Sequence, residues 1–117
     1  MTIVTNAVVI LVAFLHIYFL VLEMFLWDKP PGLKAFRQSK KQAEATKVLA
    51  SNQGLYNGFL AAGLLMGVLQ GDSGTDFKLF FLSCVIVAGI YGALTASRKI
   101  LFIQALPAFI GLILVLI

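Results

Sequence analysis

Charge is what this sequence has least of. Only 12% of its 117 residues are Asp, Glu, Lys or Arg, whereas a soluble domain carries roughly 25%. So few charges cannot clothe a globular surface in water, which argues against a soluble domain. Cysteine is nearly missing too: Cys84 is alone, so no internal disulfide can form and redox compartment is not legible. His16 is the one histidine. With a single buried carboxylate beside it, it does not make up the three or four protein ligands of a zinc site, so no metal is expected. Cys84 lies too far along its helix to serve His16 as a thiol nucleophile, and no glycine loop of the phosphate-binding kind is present. No cofactor is expected either. Ile3 to Trp27 lacks a positive leader and a small-residue cleavage site, which excludes a secretory signal. It reads as a retained apolar span.

Apolar residues fill the space that charge leaves. They make up 61% of the chain, and the mean hydropathy is +1.00. The few charges are segregated. Before Asp28 the only one is Glu23, six basic residues lie between Lys29 and Lys47, and none follows Lys99. Long apolar segments joined by short charged connections describe a polytopic membrane protein. Four spans are expected, at about 3–27, 48–69, 77–97 and 100–117. "DKPPG" ends the first because two prolines cannot continue a helix, and "QGDSGTD" is a turn by composition. The segment 28–47 is polar but rich in helix formers, consistent with a short surface helix. The expected fold is therefore all-α, a single domain forming an integral membrane antiparallel four-helix bundle.

Orientation follows from the basic residues. The connections at 28–47 and 97–99 hold eight of the nine Lys and Arg, and the opposite side has Lys78 beside Asp72 and Asp76. Loops 28–47 and 97–99 should face the cytosol, with both termini outside a plasma membrane crossed several times. A net charge of +4 would indicate nucleic acid if its residues shared a soluble face. Here they crowd beside apolar spans, so the partner expected is the lipid bilayer, with anionic headgroups against the basic loop, and not nucleic acid. Small residues at Gly54, Gly58, Ala61 and Ala62, and at Ala88, Gly92 and Ala96, form stripes that let helix backbones approach closely. Packing within the chain is the first reading of these stripes and a homodimer interface the second.

The polar side chains inside the spans are the informative minority. At about 100° per residue, His16 and Glu23 lie within about 20° of one another on the first span. Asn52, Gln53, Tyr56 and Asn57 occupy an arc of about 140° on the second. Tyr91, Thr95 and Arg98 cluster on the third, and the fourth offers Gln104. His16, Glu23, Asn52, Gln53, Tyr56, Asn57, Tyr91 and Gln104 fall in the cytosolic half, roughly 6–16 Å deep at ~1.5 Å per residue, while the outer half is expected to be almost purely apolar. Each has a structural alternative. Glu23 can pair with Arg98, and His16 can hold a neighbouring hydroxyl. Asn52 and Gln53 can join helices at about 1 kcal/mol each, and the tyrosines can be interfacial. Yet a carboxylate at mid-helix costs roughly 2.5–3.5 kcal/mol, so ionisable groups inside a membrane are functional candidates. The chemistry available is proton chemistry, with His16, Glu23, Tyr56 and Tyr91 as candidate catalytic groups. Asn52, Gln53, Asn57, Thr95, Arg98 and Gln104 are the ligand-binding candidates.

Four blocks, "HIYFLVLEMFLW" (16–27), "NQGLYNGFLAAGLL" (52–65), "VAGIYGALT" (87–95) and "QALPAFIGL" (104–112), resemble the signature blocks of DUF family 1304. The resemblance implies a small four-span membrane fold with no assigned reaction, so it transfers no residue roles. In size and plan alone the chain is also similar to small multidrug-resistance transporters, although its strong basic bias argues against their dual topology. Three functions compete. The first is a membrane enzyme doing acid–base chemistry on a lipophilic small molecule. The second is a proton-coupled exporter or channel with Glu23 as coupling carboxylate. The third is a lipid-binding or scaffold protein without turnover.

Overall fold

A computed structural model describes residues 2–117, and every regular element among them is helical. Helix α1 is Thr2–Met24, α2 Pro30–Phe36, α3 Lys40–Leu69, α4 Thr75–Thr95 and α5 Leu106–Leu116. A 3-10 turn at Gly71–Gly74 precedes α4, and a π-helical turn at Leu101–Ala105 precedes α5. Two of these helices are long and apolar enough to cross a membrane: α1, with mean hydropathy 2.5, and Gly71–Thr95, with 2.0. Leu101–Leu116 is apolar but shorter. In α3, Asn52, Gln53 and Asn57 dilute an otherwise apolar stretch.

Local chemistry explains where the helices stop. The first span, expected to reach Trp27, ends as α-helix at Met24. Leu26 N–H already donates to Val21 O, five residues back, at 3.2 Å, and Pro30 and Pro31 then begin α2 at positions that need no N–H donor. The surface helix expected within 28–47 is two pieces. Arg37 takes left-handed φ 50 and ends α2. Ser39 then starts α3 through a reciprocal cap: its Oγ accepts from Gln42 N–H at 3.1 Å, while its own N–H donates to Gln42 Oε1 at 3.0 Å. Gly71, at φ 61, supplies the left-handed residue after α3. Pro107 accounts for the π turn. It lacks an N–H and its ring crowds the carbonyl four residues back, and just before it Leu106 N–H reaches Leu101 O, five residues back.

The chain comprises two compact units, residues 15–59 and residues 1–14 with 60–117. In the unit 15–59, His16, Leu22, Gly32, Ala43, Ala50 and Gly54 are buried. In the other, Val9, Val12, Leu64, Leu82, Val85 and Ala108 form the core, and Gly63 fits beneath the ring of Phe81. A side chain added at Gly111 would sit 3.4 Å from Val8 and Leu82, so α5 packs there on α1 and α4. Large apolar side chains cover the outside, Ile3, Leu69, Phe80, Val87 and Leu94 among them, while His16 and Lys78 are inside.

Candidate functional site

Within the unit 15–59, the C-terminal part of α1 meets a stripe of small residues on α3. Ala43, Ala50 and Gly54 are buried along it. A Cβ at Gly54 would lie 2.5 Å from Met24 Cγ, 3.2 Å from Glu23 Cβ and 3.3 Å from Leu20 O, so only hydrogen leaves room for this approach. The close packing brings Asn57 onto Glu23: Asn57 Nδ2 donates to the half-buried Glu23 carboxylate at 2.5 Å. The pair is neutral on one side and charged on the other, a charge-assisted bond that fixes both side chains.

The helical wheel shows why Asn57 and not its neighbours makes this bond. Asn57 falls within about 40° of the stripe, whereas Asn52 and Tyr56 point about 140–180° away from it. Gln53 lies at about 80°. Accordingly Asn52, Gln53 and Tyr56 are exposed, Tyr56 by 56%. Of the four polar residues expected to form one wall, the structure brings Asn57 to Glu23 and turns the other three outward.

His16 is fully buried, with its ring edge-on to Phe19 at 5.6 Å. Seven residues separate it from Glu23, about 10.5 Å along the helix at ~1.5 Å per residue, so no proton can pass between them directly. Past the end of α1, Trp27 meets Phe36 in a tilted ring contact at 4.7 Å and its indole N–H donates to Thr46 Oγ1 at 3.2 Å. Lys47 Nζ donates to Asp28 Oδ2 at 3.1 Å, and this bond holds the Asp28 carboxyl below its ordinary value of 3.8.

The remaining candidates belong to the unit formed by 1–14 and 60–117. Tyr91 is 69% exposed, Thr95 returns its hydroxyl to Tyr91 O at 2.7 Å, and Arg98 is exposed. Gln104 is half-buried in the π turn. The far half of the spans was expected to be almost purely apolar, and here the expectation needs correcting. Thr5 is buried, and Lys78, only 7% exposed, donates from Nζ to Asn6 Oδ1 at 2.9 Å. Sequence reasoning took Lys78 for a topology signal and passed over Asn6. The available clue was the one lysine of an apolar helix whose other charge is Asp76 in its first turn.

Comparison with known proteins places these residues in a family. The family described as "Protein of unknown function (DUF1304)" matches residues 10–116. This chain belongs to the DUF1304 family. It is 31% identical over 115 residues to the "Uncharacterized protein YpaA" of Lactococcus lactis subsp. lactis (strain IL1403), covering 97% of both chains. No solved structure matches it. The matched region contains Glu23, Gly54, Asn57 and Lys78, whereas Thr5 and Asn6 precede it.

Proposed function

We propose that this chain is a four-span plasma-membrane protein in which Glu23, held by Asn57, is the proton-transfer group of a site for a lipophilic small molecule. The observation that carries the proposal is the Asn57–Glu23 hydrogen bond inside a stripe of small residues. A carboxylate on an apolar helix is expensive, and the amide that orients it leaves the carboxylate's second oxygen for a substrate. The apolar exterior supports the membrane reading, since a surface of Ile3, Phe80, Val87 and Leu94 suits hydrocarbon better than water. The basic stretch 28–47 supports a cytosolic position for the end of α1 that carries Glu23. In this reading α3 and the Leu101–Leu116 segment are the remaining spans and the chain is one domain. Acid–base isomerisation, cyclisation or hydration of a terpenoid, quinone or lipid is the chemistry in keeping with one positioned carboxylate, with buried His16 as a second proton-holding group.

The outward turn of Asn52, Gln53 and Tyr56 favours a second element of the proposal, a homodimer through that face of α3. Three hydrogen-bonding side chains facing hydrocarbon would each lack partners, and a second copy supplies them. The test of the site is extraction of lipophilic molecules from the purified protein, followed by mass spectrometry. The expected result is a molecule retained by wild type and by Asn52→Leu but lost from Glu23→Gln. Equal retention by Glu23→Gln and His16→Ala would remove the proposed role. For the dimer, Tyr56→Cys in a Cys84→Ser background should cross-link between copies, and absence of any cross-link sinks that element.

A further inference from the structure

The unit of residues 1–14 and 60–117 contains a cavity of about 250 Å³ that shares no residue with the site proposed above. Its polar wall holds Lys78 and Asn6, together with the hydroxyl-bearing Thr2, Thr5 and Thr75. Leu114 and Val115 form an apolar wall. An ammonium has three N–H donors and no acceptor, so the Asn6 oxygen must be the atom that faces it, as the 2.9 Å contact has it. That orientation leaves both N–H groups of Asn6 Nδ2 for something else, along with two on Lys78. Among the described residues no carboxylate stands within ion-pair distance of Lys78. Lys78 and Asn6 together thus leave N–H donors at the cavity wall for a guest that carries acceptors.

The rest of the cavity narrows which anion. Asp72 also lines it, and its negative charge disfavours a doubly charged guest. The apolar wall favours a guest with a hydrocarbon portion, and the volume is below the range of about 300–1,000 Å³ that takes a whole drug-sized molecule. Gly67 makes the arrangement possible, because a Cβ there would lie 2.9 Å from Lys78 Cγ and push the lysine stem away.

We infer that this cavity binds the carboxylate head of a single-chain amphiphile, such as a fatty acid, through Lys78 Nζ and Asn6 Nδ2. The competing account is a lysine whose stem lies along apolar surface with its head in the bilayer interface, which requires no guest. Binding of carboxyl-labelled decanoate to the full chain in an uncharged detergent, followed by NMR of the labelled carbon, separates the two. The expected result is saturable binding of one decanoate per chain, weakened at least about tenfold by Lys78→Met and less by Asn6→Leu. Lys78→Arg keeps the cation and should retain binding, so a loss in Lys78→Met that Lys78→Arg restores is a loss of charge. Should Lys78→Met fail to fold, Asn6→Leu and the competitors decide. Decanol should not compete, and acetate should compete far more weakly than decanoate. Competition by decanol, equal competition by acetate, or non-saturable uptake equal in wild type and Asn6→Leu would each overturn the assignment. Glu23→Gln should leave decanoate binding unchanged, so failure here and failure of the Glu23 site are read separately.

Discussion

Two amide–charge pairs, one in each unit, use the same side chain in opposite directions. In the unit 15–59, Asn57 gives an N–H to the carboxylate of Glu23. In the other, Asn6 accepts through its oxygen a hydrogen bond from the ammonium of Lys78. An amide carries both a donor and an acceptor on one carbon, so it can sit beside either sign of charge, and the half it does not use sets what the pair still offers. Asn57 keeps an oxygen beside a carboxylate, a centre of acceptors suited to holding a proton or a hydroxyl. Asn6 keeps two N–H donors beside an ammonium, a centre suited to an anion. The surroundings differ too. Glu23 is half-buried against a glycine stripe, whereas Lys78 is almost fully buried at a cavity wall.

The sharpest way to break the comparison is to remove the space on which the Glu23 pair depends. Gly54→Leu drives a branched side chain into Met24 and Glu23 and should cost about 3 kcal/mol, the upper part of the usual overpacking range. Denaturation in detergent measures it, and a cost near zero would show that α1 and α3 do not pack there. Next come double-mutant cycles. Glu23→Gln with Asn57→Leu, and Lys78→Met with Asn6→Leu, should each show coupling of about 1 kcal/mol, between the average and the maximum seen for hydrogen bonds inside membranes. Coupling in one cycle and none in the other would dissolve the parallel. A third change leaves both pairs intact as a control. Ser39→Ala removes the cap of α3 at about 1 kcal/mol, without altering decanoate binding or ligand retention.

The smallest effect concerns Asp28 and Lys47. The lysine's hydrogen bond lowers the Asp28 value in the folded chain below 3.8. Its contribution is therefore fully present above that ordinary value and is lost as pH falls through the lowered one. Lys47→Met and wild type should differ slightly at neutral pH and converge in strong acid, as read by denaturation at a series of pH values. A difference that persisted in acid would mean that Lys47 acts through its hydrocarbon stem.

Several features are legible in the sequence itself. Charge segregation marked out 28–47, and the prolines at 30 and 31 marked the end of α1. The spacing of Gly54 and Gly58 identified a packing stripe, and Glu23 stood out as a carboxylate on an apolar helix. The fault lay in treating Asn52, Gln53, Tyr56 and Asn57 as one wall. An arc of about 140° is wider than the face one helix can bury against another, so only a residue near the glycines turns inward. The Ser39–Gln42 cap was readable as S-x-x-Q but was absorbed into a loosely drawn surface helix. Lys78 was misjudged because one lysine near a turn fits a topology rule equally well whether it is exposed or enclosed.

Composition and periodicity alone determined that the chain is helical, poor in charge and grouped by sign, because those properties add up residue by residue along the chain. Which amide meets which charge was decided only in three dimensions. Asn57 reaches Glu23 across 34 positions and Asn6 reaches Lys78 across 72, and no local pattern encodes a contact between helices. The glycines mark where such contacts can form, but the partner, and whether a buried charge faces an acceptor or a donor, depends on how the helices pack.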